Sequence, residues 1–313
     1  EPRVLLLDEP TSGLDPALRH LAGTRTDLSP AVLPAVRAGL DERRAQQAAV
    51  MDTVGVDITD VRIGSVPVRL YRGGTGVAPA VIFCHSGGFV LGNLDTDHRM
   101  CVELARGAEC SVVSVDYRLA PEHPYPTGLD DCYSGLGWLT RLPAVDPSRI
   151  AIGGASAGGG LAAALALHTR DRAEIALAGQ LLVYPMLDDR SSHHDCPQPP
   201  GLRLWNRRSN AFGWRSYLGD ADPAIAVPGR RTDLAGLPPT WIGVGNQDLF
   251  HDEDLAYADA LSRAGVPCAV TVVPGAFHGF DGLAPGTLES LAGLGVRRVS
   301  FGMQSAVPRV LGV

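Results

Sequence analysis

The sequence predicts an α/β fold, a mostly parallel central sheet with helices on both faces and room for an inserted cap. Three observations predict it. Apolar runs at Ala80–Cys84, Ser111–Val115, Leu181–Tyr184, Trp241–Gly245 and Ala269–Val273 alternate with helical segments. A strand without a polar face must be buried on both sides, and helices covering a parallel sheet bury it that way. Next, Ile150-Ala151-Ile152-Gly153-Gly154-Ala155-Ser156-Ala157-Gly158-Gly159-Gly160-Leu161 reads as a strand, a glycine-rich turn and the start of an Ala/Leu-rich helix through Leu167. Finally, 313 residues at 45% hydrophobic content suffice for one large core.

Taken in order, the chain opens on Glu1–Pro16, EPRVLLLDEPTSGLDP, which resembles the Walker B strand and D-loop of ABC-transporter ATPases. In such proteins the pair Asp8-Glu9 would serve Mg²⁺ and the attacking water, alongside a P-loop lysine that holds the phosphates. All 27 basic residues here are arginine, so residues 1–18 are expected to be a non-functional segment. From Leu28 to Met51 the period is helical, with Val32, Val36 and Leu40 on one face. It then shifts to two: Val54–Ile58 and Val66–Tyr71 are expected to pair antiparallel around Gly64-Ser65. The apolar strands follow. Between Asp188 and Arg231 their rhythm fails, and a polar, Pro/Arg-rich stretch with Trp205, Phe212 and Trp214 reads as an excursion over the sheet, a candidate lid.

The chemistry centres on Gly154-Ala155-Ser156-Ala157-Gly158, which fits G-x-S-x-G. This elbow lifts a serine hydroxyl, expected to be exposed, above the C-terminal edge of a sheet. Bulky residues two positions either side would strike the flanking strand and helix. The helix N-terminus also favours negative charge forming beside the serine. In such a site the acid and the base follow on loops after later strands, in that order. Asp248, after the strand ending at Gly245, is the candidate acid, and His278, after the strand ending at Val273, the candidate base. The loop His85-Ser86-Gly87-Gly88 follows the strand expected beside that of the nucleophile. Its N–H groups, with that of Ala157, are the candidate oxyanion donors.

From about Leu28 to Leu283 the chain resembles bacterial esterases of the hormone-sensitive lipase family. The resemblance rests on His85–Phe89, Asp116–Glu122, Gly154–Gly159, Asp248 with Asp252-Glu253, and His278-Gly279-Phe280. It implies an α/β-hydrolase fold with a helical cap, and hydrolysis of short- to medium-chain acyl esters. It assigns Ser156, Asp248 and His278 as the triad, and Gly87, Gly88 and Ala157 as oxyanion donors. The expected division is N-terminal cap helices at 19–52, hydrolase core at 53–187 and 233–284, and a cap insertion at 188–232. The family usually has glycine at position 86, aspartate or threonine at 155 and proline at 249. Here Ser86, Ala155 and Leu249 stand there, changes that bear on rate and acyl preference rather than mechanism, Leu249 by loosening the turn after the acid.

Other features are weaker. His193-His194-Asp195-Cys196 could be drawn as a metal site, but adjacent loop histidines rarely converge on one ion, so neither metal nor cofactor is expected. His98 and His123 read as structural, and Arg207-Arg208 and Arg230-Arg231 as solvated cap charges. Residues 285–313 resemble an internal stretch of radical-SAM enzymes of the coproporphyrinogen-dehydrogenase type, yet the six cysteines lack C-x-x-x-C-x-x-C, so this segment too is expected to be non-functional. A net charge of −7 argues against nucleic acid. No apolar run is long enough to span a membrane and no secretory leader is evident. Scattered cysteines suit a cytoplasm. The expected partner is a small-molecule acyl ester, and the expected state a monomer or homodimer. An amidase or acyltransferase on the same triad, or a ligand-binding pseudo-enzyme, is the alternative.

Overall fold

The structure is a computed structural model and describes residues 27–193 and 205–280. The ABC-like segment 1–18 and the radical-SAM-like segment 285–313 lie outside those residues, as do His194, Asp195 and Cys196 of the metal candidate.

Eight strands form one sheet: β1 (Asp57–Ile63), β2 (Val66–Arg72), β3 (Ala78–Cys84), β4 (Ser111–Val115), β5 (Val145–Ala155), β6 (Gly179–Val183), β7 (Thr240–Gly245) and β8 (Cys268–Val273). Their order is β1-β2-β4-β3-β5-β6-β7-β8. The hairpin β1–β2 turns tightly at Gly64-Ser65, with Ile63 opposite Val66, and β2 runs antiparallel to β4. All remaining pairings are parallel. The C-terminal ends of β3, β5, β7 and β8 therefore share one edge, the edge where open α/β sheets bind ligands.

The helices α1 (Leu33–Ala49), α2 (His98–Gly107), α3 (Thr127–Leu139), α4 (Ala157–Arg172), α5 (Arg207–Leu218), α6 (Pro223–Ala226) and α7 (His251–Arg263) complete the fold. Two apolar clusters flank the sheet. One holds Ile82, Ile152, Leu161 and Leu165; the other holds Val81, Phe83, Val112 and Tyr184. Alternate residues of β3 thus face opposite clusters, as period two demands. Each fully buried Ile, Leu or Phe contributes about 1.5–3 kcal/mol of transfer free energy. Among the described residues, no helix is long and apolar enough to cross a membrane.

One strand start differs from the sequence reading. The alternation Val54-Gly55-Val56 suggests strand, yet Gly55 has φ +81° and Val56 N–H bonds Thr53 O at 3.0 Å. These residues form a turn, and pairing begins only at Asp57.

The excursion is helical where described. Asn206 caps α5 by accepting from Ser209 N–H, and Ser209 Oγ accepts from Leu28 N–H at 3.1 Å. The arginine pairs are not simply solvated. Arg230 forks onto Asp189 at 2.6 and 2.7 Å, Arg231 onto Asp233, and Arg208 reaches Asp27. The Arg230–Asp189 pair is part-buried, whereas the exposed pairs Arg231–Asp233 and Arg208–Asp27 contribute only about 0–1 kcal/mol each.

Candidate active site

Ser156 stands between β5 and α4 with φ 56° and ψ −122°, a backbone strained for any residue but glycine. Strain there needs neighbours that close in. A Cβ on Gly154 would come within 2.2 Å of Gly158 O, and one on Gly158 within 2.0 Å of Cys84 O. Glycine at both positions is a requirement of close approach. Hydrogen bonds fix the turn: Ser156 N–H donates to Val183 O at 2.9 Å, and Ser156 O accepts from Gly160 N–H at 3.0 Å and Met186 N–H at 2.9 Å. The serine does not cap α4 with its side chain, although a serine at a helix start ordinarily would. Its hydroxyl lies 2.9 Å from His278 Nε2 instead. The hydroxyl was expected to be exposed, and it is not: Ser156 is only 4% accessible.

His278 Nδ1 lies 2.9 and 3.1 Å from the two carboxylate oxygens of Asp248. A carboxylate only accepts, so Nδ1 carries the proton and Nε2 presents a lone pair to the serine. Tyr184 and Phe250 hold the imidazole edge-on, at centroid distances of 4.8 and 5.0 Å. Asp248 Oδ1 also accepts Phe250 N–H at 2.9 Å, and Asp248 N–H bonds Gly245 O at 3.1 Å. These bonds restrain the turn that Leu249 was expected to loosen.

The parallel pairing of β3 with β5 sets Cys84 opposite Gly154, bringing the loop after β3 beside the elbow. Among the described residues, the N–H groups of Gly87, Gly88 and Ala157 bond no other group. Gly87 O accepts from Val90 and Leu91 N–H, which curls the loop. Gly87 and Gly88 adopt φ +135° and +61°, and a Cβ on Gly88 would meet the Trp205 ring at 2.1 Å. Ser86, where the family usually has glycine, is used: Asp97 accepts its N–H at 2.6 Å and its Oγ–H at 3.2 Å. His85 Nδ1 donates to Ser86 O at 2.9 Å, and its ring stacks on Tyr117. Burial pushes the His85 pKa down to about 4, so it is neutral. Arg37 of α1 clasps the far side, donating to Val90 O and Ala120 O at 2.8 Å while forking onto Glu122.

All six residues singled out from the sequence thus lie at this one edge, on the loops after β3, β5, β7 and β8 and at the first residue of α4. Sequence reasoning missed Asp97 and Arg37. Asp97 precedes α2 and reads as a helix cap, but makes no cap bond. Arg37 has no local signal at all.

Two acids follow Asp248 closely: Asp254 is buried, and Glu253 is half-buried with its carboxyl turned inward. Burial pushes Glu253 up to about 8 and Asp254, whose oxygens have no hydrogen-bond partner among the described residues, well above the usual carboxylate range. Both ionise in the unfolded chain above about pH 4 to 5. The native state then binds more protons than the unfolded one, so their contribution to stability falls as pH rises from there toward 8. His85 acts oppositely, but only below about pH 6.5. As pH rises above the usual carboxylate range, Asp254→Asn should therefore lose less stability than the parent in urea unfolding. Parallel stability–pH curves would show that Asp254 is ionised in the fold.

A family model described as alpha/beta hydrolase fold matches residues 81–282, and the chain belongs to that family. It is a serine hydrolase of the carboxylesterase class. Esterase LipI of Mycobacterium tuberculosis is 38% identical over 242 residues, covering 72% of this chain and 75% of that protein. Carboxylesterase NlhH of the same organism is 37% identical over 287 residues, covering 87% and 83%. The crystal structure of esterase LipW from Mycobacterium marinum superposes with a TM-score of 0.80 at 42% identity, covering 91% of this chain and 94% of that one.

Proposed function

We propose that the chain hydrolyses short- to medium-chain acyl esters through an acyl-enzyme on Ser156. The observation that carries this reading is the unbroken relay Ser156 Oγ to His278 Nε2 to Asp248, at 2.9 and 2.9 Å. Ser156 Oγ attacks the acyl carbonyl carbon while its proton passes to His278 Nε2. The carbonyl π pair moves onto oxygen, and the N–H groups of Gly87, Gly88 and Ala157 receive that charge. Collapse breaks the C–O bond, and the alcohol leaves with the imidazolium proton. Water repeats the sequence: His278 takes its proton, hydroxide adds to the acyl carbon, and Ser156 departs reprotonated beside the free acid. Asp248 holds the imidazole throughout.

The chain is read as working in the cytoplasm as a monomer or homodimer, with no metal or cofactor in the mechanism. The free thiols Cys84, Cys101, Cys110, Cys132 and Cys268 support a reducing compartment. The unit that does this work is taken to be 53–187 with 233–284, capped by 19–52 and 188–232. Segments 1–18 and 285–313 are taken as ABC-ATPase-like and radical-SAM-like pieces outside the chemistry.

A p-nitrophenyl ester series from acetate to decanoate tests the reading. Hydrolysis is expected to peak at octanoate or shorter, to start with a burst of p-nitrophenol, and to be indifferent to EDTA. Turnover without acyl-enzyme formation, or loss on chelation with recovery on Zn²⁺, would overturn it.

A further inference from the structure

The segment Tyr184–Asp188 leaves β6 and crosses the edge of the site, touching Ser156 and His278. Tyr184 sits at φ 35°, in the left-handed region, with its N–H on Gly243 O and its ring against His278. Two residues on, Met186 N–H holds the carbonyl of Ser156 at 2.9 Å. A Cβ on Gly160 would fall 2.0 Å from Met186 O, so the segment lies directly on α4. A non-glycine residue keeps positive φ only where its surroundings over-determine it. At the far end the N–H groups of Leu187 and Asp188 both point at one side-chain atom, Glu253 Oε1, at 2.7 and 3.1 Å. Glu253 lies in the first turn of α7, five residues beyond Asp248.

We propose that Glu253 is a positioning residue for the serine elbow and the imidazole, acting through the crossing segment Tyr184–Asp188. The proposal rests on the triad reading above. Glu253 touches neither substrate nor the reacting atoms. Its carboxyl ties the start of α7, and with it the Asp248 turn, to the segment that fixes the carbonyl of Ser156 and braces His278. What α7 supplies is an acceptor, Oε1, on a carboxyl whose pKa burial pushes up to about 8. Its other oxygen, Oε2, is buried without a partner among the described residues. Glutamine therefore reproduces the working group, since its carbonyl oxygen accepts the same two N–H groups while its amide takes the place of Oε2. Alanine leaves both N–H groups unanswered and lets the segment shift.

The test is stopped-flow turnover of p-nitrophenyl acetate by the full chain and by Glu253→Ala and Glu253→Gln, with active sites counted by a fluorophosphonate. Counting sites removes any fraction that fails to fold, so kcat per site reports geometry alone. Glu253→Ala is expected to lose about 30- to 100-fold in kcat per site with KM within about threefold, the penalty of a misplaced catalytic group. Glu253→Gln is expected to restore kcat to within about threefold of the parent. An alanine variant with parental kcat per site would overturn the proposal, as would a glutamine variant no better than alanine. Failure of the triad reading looks different: Ser156→Ala would then keep its activity, and the fluorophosphonate would not attach to Ser156.

Discussion

Ser156→Ala is expected to lower kcat by about 10⁴-fold or more, because the covalent route through the acyl-enzyme disappears. What survives should be the weak assistance of the oxyanion donors and of binding. The fold should hardly notice. The hydroxyl's contact with the imidazole is a single hydrogen bond at 2.9 Å, so the cost is about 1 kcal/mol. The strained elbow is held by backbone bonds to Val183, Gly160 and Met186, which alanine keeps. A variant that retained a tenth of the parental kcat would mean that another group is the nucleophile. Melting temperature and KM serve as controls, since a collapsed site would move both.

Much of this was legible because the residues concerned answer to local rules. The apolar runs must be strands buried on both faces, and G-x-S-x-G must be a close turn, so β3 to β8 and the elbow follow from period and spacing. Asp248 and His278 follow from lying just after strands. The parts that were not legible depend on which way a side chain turns. Asp252, Glu253 and Asp254 are three adjacent acids in the first turn of α7, each readable as a favourable charge at a helix start. In the fold the Asp252 side chain is fully exposed, Glu253 answers two backbone N–H groups, and Asp254 is sealed in the core. The direction each takes is set by helix phase against a distant segment, which no local window contains. Asp97 is similar. A helix-capping residue by position, it turns toward Ser86, eleven residues back. Ser156 was expected in the open because an elbow projects its side chain, but His278, 122 residues on, closes against its hydroxyl.

Asp248→Asn should lower kcat by about 10³- to 10⁴-fold while leaving KM and the fold nearly unchanged. The substitution is isosteric, so geometry is not what fails. The direction of one hydrogen bond is. Phe250 N–H donates to Oδ1 at 2.9 Å, and only a carbonyl oxygen can answer it. In the variant that bond keeps the amide oxygen at Oδ1 and places the amide nitrogen at Oδ2, 2.9 Å from His278 Nδ1. An amide nitrogen donates, so Nδ1 must become the acceptor and the ring proton moves to Nε2. Nε2 then meets the Ser156 hydroxyl as a donor and cannot take its proton. The double variant Ser156→Ala with Asp248→Asn should be no slower than Ser156→Ala alone, because the acid acts only through the serine's proton. If Asp248→Asn kept more than a tenth of the parental kcat, or if the two losses multiplied, Asp248 would be an anchor for the β7 loop and the imidazole would owe its tautomer to another group.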